Sequence, residues 1–287
     1  MGLWKSTVIT LEMIKWEHSI FALPFALTGA VLAAGAWPSV HALIWIVVCM
    51  IAARSAAMAF NRLVDAKLDA ANPRTANRAL PAGALTTGFV AGFVFISAAV
   101  FLLGAAMLNR LTLQLAPFAL LVVLVYSYMK RVTRWSHLIL GLALGIAPSA
   151  AWIAVRGSFD PRIAILTLAV LLWVAGFDVL YACQDFEHDR RVGLNSVPQS
   201  FGLEVAFWIA RSMHIGMLAT LYWLATAFHL GTIAMIGIGV VGLLLLYEHL
   251  IISPEDMRRM NAAFFTLNGI ISVVFFVFIA ADVLLRR

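Results

Sequence analysis

Nine apolar runs, each bounded by charge, proline or glycine, decide what this chain can become. They fall near 19–36, 40–60, 88–108, 111–129, 137–155, 162–184, 203–226, 232–252 and 263–284. An α-helix rises about 1.5 Å per residue, so roughly 20 apolar residues cross the hydrocarbon core of a bilayer. A soluble fold has no interior large enough for nine such runs in 287 residues, of which 63% are hydrophobic and 12% charged. The expected class is therefore all-α and integral to the membrane, a bundle of about nine transmembrane helices, with residues 1–287 forming one domain. The lipid bilayer is its first partner.

A formal net charge of +6 would suit a nucleic-acid binder, but the basic residues are placed as a membrane protein places them. With nine spans, thirteen of the twenty Lys and Arg fall on the side holding the N-terminus and the loops after helices 2, 4, 6 and 8. Five fall on the other side, and Arg54 and Arg211 lie within spans. Such an excess marks the cytoplasmic face, so the two long polar joins, 61–87 and 185–202, are expected there and no nucleic-acid partner is implied. The joins at 36–40 and 228–231 read as tight hairpins. Trp4, Trp16, Trp37 and Trp135 fall where an interfacial aromatic belt would. Cys49 and Cys183 sit far apart in apolar runs and read as packing residues. No small-residue cleavage site follows a short apolar core near the start, so no removable signal peptide is expected.

Of fourteen acidic residues, six crowd into two short stretches. Asn61, Asp65 and Asp69 recur every fourth residue, which sets them along one helical face. Asp178, Asp185 and Asp189 are expected in a second stripe, with Tyr181 beside them. Stacked like charges repel, and acids near lipid are costly, so both stripes need neutralising. Mg²⁺ does this with a few carboxylates and the phosphates of a substrate. Arg74 and Arg78 follow the first stripe, and Lys130 and Arg131 end the fourth helix. Carboxylates for metal and guanidinium groups for phosphate oxygens together describe a diphosphate site. No glycine-rich phosphate loop is present, which argues against a nucleotide, and the apolar surroundings make the rest of the substrate lipid. A faint parallel echo, Asp65…Pro81-Ala82-Gly83 and Asp185…Pro198…Gly202, describes two half-sites facing one cavity. A cation-coupled transporter is the rival from another class. Its acids would lie near the midplane on broken helices, often in inverted repeats, whereas these lie at helix ends on one face.

The paired motifs, NxxxDxxxD at 61–69 and DxxYAxxDxxxD at 178–189, are each followed by a further signature. These are Arg-Thr-Ala-Asn-Arg at 74–78 with Pro81-x-Gly83, and Gly193-x-x-Ser196. From first helix to last the chain resembles the UbiA-type intramembrane prenyltransferases. The resemblance implies a bundle enclosing a central cavity under a cytoplasmic cap. It also implies Mg²⁺-assisted departure of diphosphate from a polyprenyl diphosphate, then attack on the allylic cation by an electron-rich ring. Carried over position by position, Asp65, Asp69, Asp185 and Asp189 match metal-diphosphate ligands, and Asp178 matches the acid opening the second motif, making five catalytic aspartates. Arg74, Arg78 and Lys130 match diphosphate-binding bases. Arg54 and Asn61 match residues of the acceptor pocket, and Tyr126 and Tyr181 match aromatics that steady the cation. Asn268 fits a recurring asparagine of the last helix.

The departures bear on the acceptor. Asn61-Arg62 stands where Asn-Asp is common, Glu187-His188 where Asp-Asp is common, and Lys15-Trp16-Glu17-His18-Ser19 where Arg-x-Asp-Lys-Pro opens the first helix. These variants resemble a branch labelled 4-hydroxybenzoate polyprenyltransferase, which includes enzymes of the futalosine route to menaquinone. The expected activity is prenyl transfer to an aromatic acid of the 4-hydroxybenzoate type in quinone biosynthesis, with 1,4-dihydroxy-6-naphthoate as the alternative acceptor. The expected place is the bacterial inner membrane, with the site on its cytoplasmic side. His18 and His188 read as polar contacts. His41, His137, His214, His229 and His249 read as interfacial or packing residues, and Glu248 as a solvated loop acid or a substrate contact.

Overall fold

The computed structural model describes residues 9, 10, 12–14 and 22–286. Lys15, Trp16, Glu17, His18 and Ser19, like Trp4, lie outside them. The long helices are α1 (Leu23–Ala34), α2 (Val40–Ala71), α3 (Thr87–Leu108), α4 (Arg110–Met129), α5 (Ser136–Arg156) and α6 (Ile163–Ala182). Two short helices follow, α7 (Phe186–Val192) and α8 (Val197–Phe201), and then α9 (Leu203–Ala227), α10 (Thr232–Ile251) and α11 (Asn268–Leu285). Among the described residues seven helices are long and apolar enough to cross a membrane. The described part of the first run is the 12-residue α1, and α9, interrupted by Arg211 and His214, has no stretch as apolar as those seven have. Each of the nine apolar runs thus contains a helix.

Local chemistry explains the boundaries. Ser39, Thr86 and Asn109 each accept a hydrogen bond from the backbone N–H three residues on, satisfying donors that a helix start leaves unpaired. Gly35 and Gly157 end α1 and α5 in the left-handed region, which suits glycine. The start of α10 is capped from another helix. Asp282 of α11, 1% exposed, accepts from the N–H groups of Gly231 (2.8 Å) and Ala234 (3.2 Å) and pairs with Arg286 (3.2 Å).

Both polar joins differ from their sequence reading. The helix in the first join runs on to Ala71, because Asn61–Ala71 continues α2 without a break. A 32-residue helix is about 48 Å long, well beyond the ~30 Å hydrocarbon thickness, so its last turns stand clear of the lipid core. Those turns carry Asp65 and Asp69. The second join contains α7 and α8 rather than open loop.

Helix α6 runs through the middle of the bundle, with Leu166, Ala169, Val170, Trp173 and Val174 fully buried. Aromatic rings fill the space around it, Phe25 lying 4.9 Å from Trp173 and 5.3 Å from Phe275 between centroids. By contrast α3 and α4 turn large apolar side chains outward, such as Phe95 and Phe118, as a lipid-facing surface does. Close approach of α5 to its neighbours depends on small residues. A Cβ on Gly29 would collide with the Pro148 carbonyl, and one on Gly141 with the Leu171 carbonyl.

Gly141→Ala is therefore expected to lower thermal stability in detergent by about 1–3 kcal/mol, since backbone cannot give way as a flexible side chain can. Gly92→Ala, where an added Cβ meets nothing within 4 Å, is expected to leave the melting midpoint unchanged or slightly raised.

Candidate functional site

The extended end of α2 holds Asp65 and Asp69, 2% and 6% exposed. A carboxylate so buried needs compensation, and Asp65 has three donors. Asn61 Nδ2 donates to Asp65 Oδ2 at 3.1 Å, Lys130 Nζ pairs with the same oxygen, and Arg131 Nη2 lies 2.9 Å from Oδ1. Arg131 also donates to the Val64 carbonyl at 2.9 Å, which clamps the end of α4 against α2. Asp69 pairs with Arg78 Nη1 at 2.7 Å, and Thr75 caps its backbone carbonyl at 3.0 Å. The other carboxylate oxygen of Asp69 is buried without a hydrogen-bond partner, and Arg62 Nη1 stands 4.0 Å from it.

A tighter turn, Cys183–Asp185, interrupts the second acidic stretch between α6, which ends at Ala182, and α7, which starts at Phe186. Asp178 precedes this turn, Asp185 ends it and Asp189 follows it. Asp178 Oδ2 faces His137 Nδ1 at 2.7 Å, while the Val197 N–H donates to His137 Nε2 at 3.3 Å. An accepting Nε2 leaves the ring proton on Nδ1, so a neutral His137 donates to Asp178. His137 is thus a buried clamp between α5, α6 and α8, 3% exposed, rather than an interfacial residue.

Asp185 reaches across to the other half. Arg74 binds it through two nitrogens, Nε at 2.9 Å from Oδ1 and Nη2 on Oδ2, and Asn72 Nδ2 is 3.4 Å from Oδ1. Burial acts to lower the pKa of Arg74, but the Asp185 bonds and charge, with Tyr181, outweigh it and the pKa is raised. This guanidinium stays charged at any working pH. Asp189, half-buried, lies near Asp185, Ser196, Lys130 and His188. The Asn195 N–H donates to the Lys130 carbonyl at 2.9 Å, tying the segment before α8 to the end of α4.

Aromatic groups lie beneath these charges. Tyr181 packs on Phe264 with centroids 4.1 Å apart, and Arg74 Cζ is 5.8 Å from the Tyr181 centroid. Tyr126 is within electrostatic reach of Asp178, Asp65, Arg62 and Arg78, and of Arg54. Arg54 Nε is buried with no hydrogen-bond partner. The fold thus gives Asp65 to Asn61, Lys130 and Arg131, Asp69 to Arg78, Asp185 to Arg74, and Asp178 to His137, with Asp189 near Asp185 and Lys130.

Among the described residues no three His, Cys, Asp or Glu side chains converge as a ready metal site. The acids instead face the chain's own cations. The donor set still fits Mg²⁺: hard carboxylate oxygens on two sides, one of them, Asp69 Oδ2, buried and unsatisfied. Arg131 as a second cation on Asp65, Asn72 on Asp185 and Ser196 on Asp189 were not singled out from the sequence for these contacts. Adjacency to Lys130 was a usable signal for Arg131; nothing in the sequence marked His137.

Residues 22–270 match the UbiA prenyltransferase family. Over 212 residues the chain is 33% identical to a Vibrio cholerae protein named 4-hydroxybenzoate octaprenyltransferase, covering 74% of this chain and 73% of that one. A human protein named mitochondrial 4-hydroxybenzoate polyprenyltransferase is 33% identical over 171 residues, 58% of this chain and 45% of that one. Among solved structures, the apo form of a UbiA homolog from Aeropyrum pernix K1 superposes with a TM-score of 0.85 at 31% identity, covering 93% of this chain and 98% of that one. A UbiA homolog from Archaeoglobus fulgidus, solved bound to DMAPP and Mg²⁺, shares the fold with a TM-score of 0.72 at 19% identity, over 96% and 98% of the two chains.

Replacing His137 by Ala strips partners from both Asp178 and the Val197 N–H. It is expected to destabilise the protein by about 1–3 kcal/mol, read as a lower midpoint of thermal denaturation in detergent. His137→Asn, which keeps a donor, should lose less.

Proposed function

The chain belongs to the UbiA prenyltransferase family, and from that membership we propose that it transfers a polyprenyl group from a polyprenyl diphosphate to an aromatic acid, with 4-hydroxybenzoate as acceptor, in quinone biosynthesis. The proposal is carried by the junction of two acidic half-sites through Arg74 and Asp185, with Lys130 and Arg131 on Asp65 and Arg78 on Asp69. A site of this kind holds as many cations as anions and is suited to a polyanion that arrives with its own metal.

In the proposed reaction the C–O bond to diphosphate breaks, a C–C bond forms at a ring carbon ortho to the phenol, and that carbon loses its proton. Asp65, Asp69, Asp185 and Asp189 are the groups that would hold Mg²⁺, which supplies positive charge to the leaving diphosphate. Arg74, Arg78 and Lys130 turn from carboxylate to phosphate oxygens, an exchange between anions of like geometry. Tyr181 and Tyr126 present ring faces to the allylic cation. Arg54, with a buried N–H lacking a partner, is the group for the acceptor carboxylate, and Asn61 lies two turns further along the same helix, α2. Asp178, through His137, fixes the segment that carries Ser196. The excess of basic residues on one side supports a cytoplasmic site, and the protein is assigned to a bacterial inner membrane.

The test offers detergent-purified protein a radiolabelled prenyl diphosphate and Mg²⁺, with 4-hydroxybenzoate and 1,4-dihydroxy-6-naphthoate in parallel. Transfer to 4-hydroxybenzoate, lost with EDTA and lowered at least about a hundredfold in Asp65→Ala and Asp185→Ala, is the expected outcome. Transfer to the naphthoate alone would move the protein to menaquinone synthesis, and transfer to neither would overturn the aromatic acceptor. Arg54→Ala should raise the acceptor KM about tenfold or more and leave the KM for the prenyl diphosphate unchanged.

A further inference from the structure

Below the charged site, three buried polar side chains from three helices meet. Asn268, at the start of α11, has no exposed surface. Its Oδ1 accepts from Trp173 Nε1 of α6 at 2.8 Å, and its Nδ2 lies 3.5 Å from Glu248 Oε1 of α10. The same Nδ2 donates to two carbonyls of the preceding turn, Phe264 at 3.2 Å and Ala263 at 3.3 Å. That turn, Ala262–Leu267, is wound wider than an α-helix, with each bond spanning five residues instead of four. Wide turns interrupt the regular ladder and cluster where function needs an irregular backbone. Here the Asn268 amide supplies donors to carbonyls of that irregular stretch, and Trp173 fixes the amide's orientation. Glu248 is 1% exposed and its second oxygen has no partner, so it is a bundle acid rather than a solvated one.

The wide turn sets the direction of Phe264. Its ring meets Phe177 at 5.1 Å and Tyr181 at 4.1 Å, and Tyr181 in turn lies under Arg74, which binds Asp185. An unbroken chain of contacts thus runs from a buried amide on the last helix to a carboxylate of the second motif. We propose that Asn268 is a positioning residue for prenyl transfer: by holding the wide turn it seats Phe264 on Tyr181 and keeps that ring beneath Arg74. A buried amide with all its polar atoms engaged is a device for fixing one geometry, and apolar packing alone lacks its direction. The inference rests on the function proposed above.

The experiment measures binding of geranyl diphosphate with Mg²⁺ by calorimetry, and kcat for transfer, in Asn268→Ala, Tyr181→Leu and the double variant. Trp173→Phe, which keeps the ring and removes the donor to Asn268, stands in if Asn268→Ala does not fold. Asn268→Ala or Trp173→Phe is expected to weaken diphosphate binding or kcat about tenfold in correctly folded protein, yet by less than about twofold once Tyr181 is Leu. Additive losses, equal in both backgrounds, would overturn the positioning role and assign Asn268 to the scaffold. Wild-type binding without transfer to any aromatic acceptor would count against the proposed reaction, while the coupling in binding would still decide the role of Asn268. Wild-type protein that binds no prenyl diphosphate would overturn both.

Discussion

Carboxylates at the edge of an apolar bundle must be matched by positive charge, and in this protein the matching is done by its own side chains. Asp65 lies between Lys130 and Arg131, Asp69 against Arg78, and Asp185 in the fork of Arg74. These pairs join elements that are distant in sequence: α2 to α4, and the segment after α2 to the segment after α6. Asp65 and Asp69 are buried, so removing a basic partner there leaves an uncompensated charge, whereas the Arg74–Asp185 pair is partly exposed and contributes less. On the function proposed, the same pairs would exchange with a substrate, since a diphosphate would offer the bases better acceptors and a divalent cation would offer the acids a better neutraliser.

Rigid packing beneath this exchangeable layer gives it a fixed floor. Helix α6 is buried along most of its length, and small residues on α1 and α5 bring backbones close where no side-chain adjustment is available. On the face away from the aspartates Asp282 ties α11 to the start of α10. Rings of Trp173, Phe177, Phe264 and Tyr181 then transmit that order toward Arg74.

How much of this was legible beforehand follows from what kind of signal each part leaves. The nine apolar runs are long and strongly periodic in length, and each contains a helix. The four-residue spacing of Asn61, Asp65 and Asp69 survives as one helical face because α2 does not break. The tighter turn at Cys183–Asp185 changes the helical pitch within the second stretch, which spacing alone does not carry. For the same reason His137 was read with the other histidines: its partners, Asp178 and Val197, are 41 and 60 residues away. Asn268 stood out only by resemblance, whereas the wide turn that its side chain braces has no residue signature. Glu248 could be placed only once α10 and α11 were seen to enclose it.

On the function proposed, protein cations and protein anions occupy each other's ligand positions in the free state. Isothermal titration of the detergent-solubilised protein with inorganic diphosphate, with and without Mg²⁺, and with Mg²⁺, with and without diphosphate, tests it without any chemistry. Since each ligand frees the partner group that the other needs, the two should strengthen each other's binding reciprocally, by about tenfold or more. Diphosphate and Mg²⁺ that bind with the same affinity alone as together would contradict it.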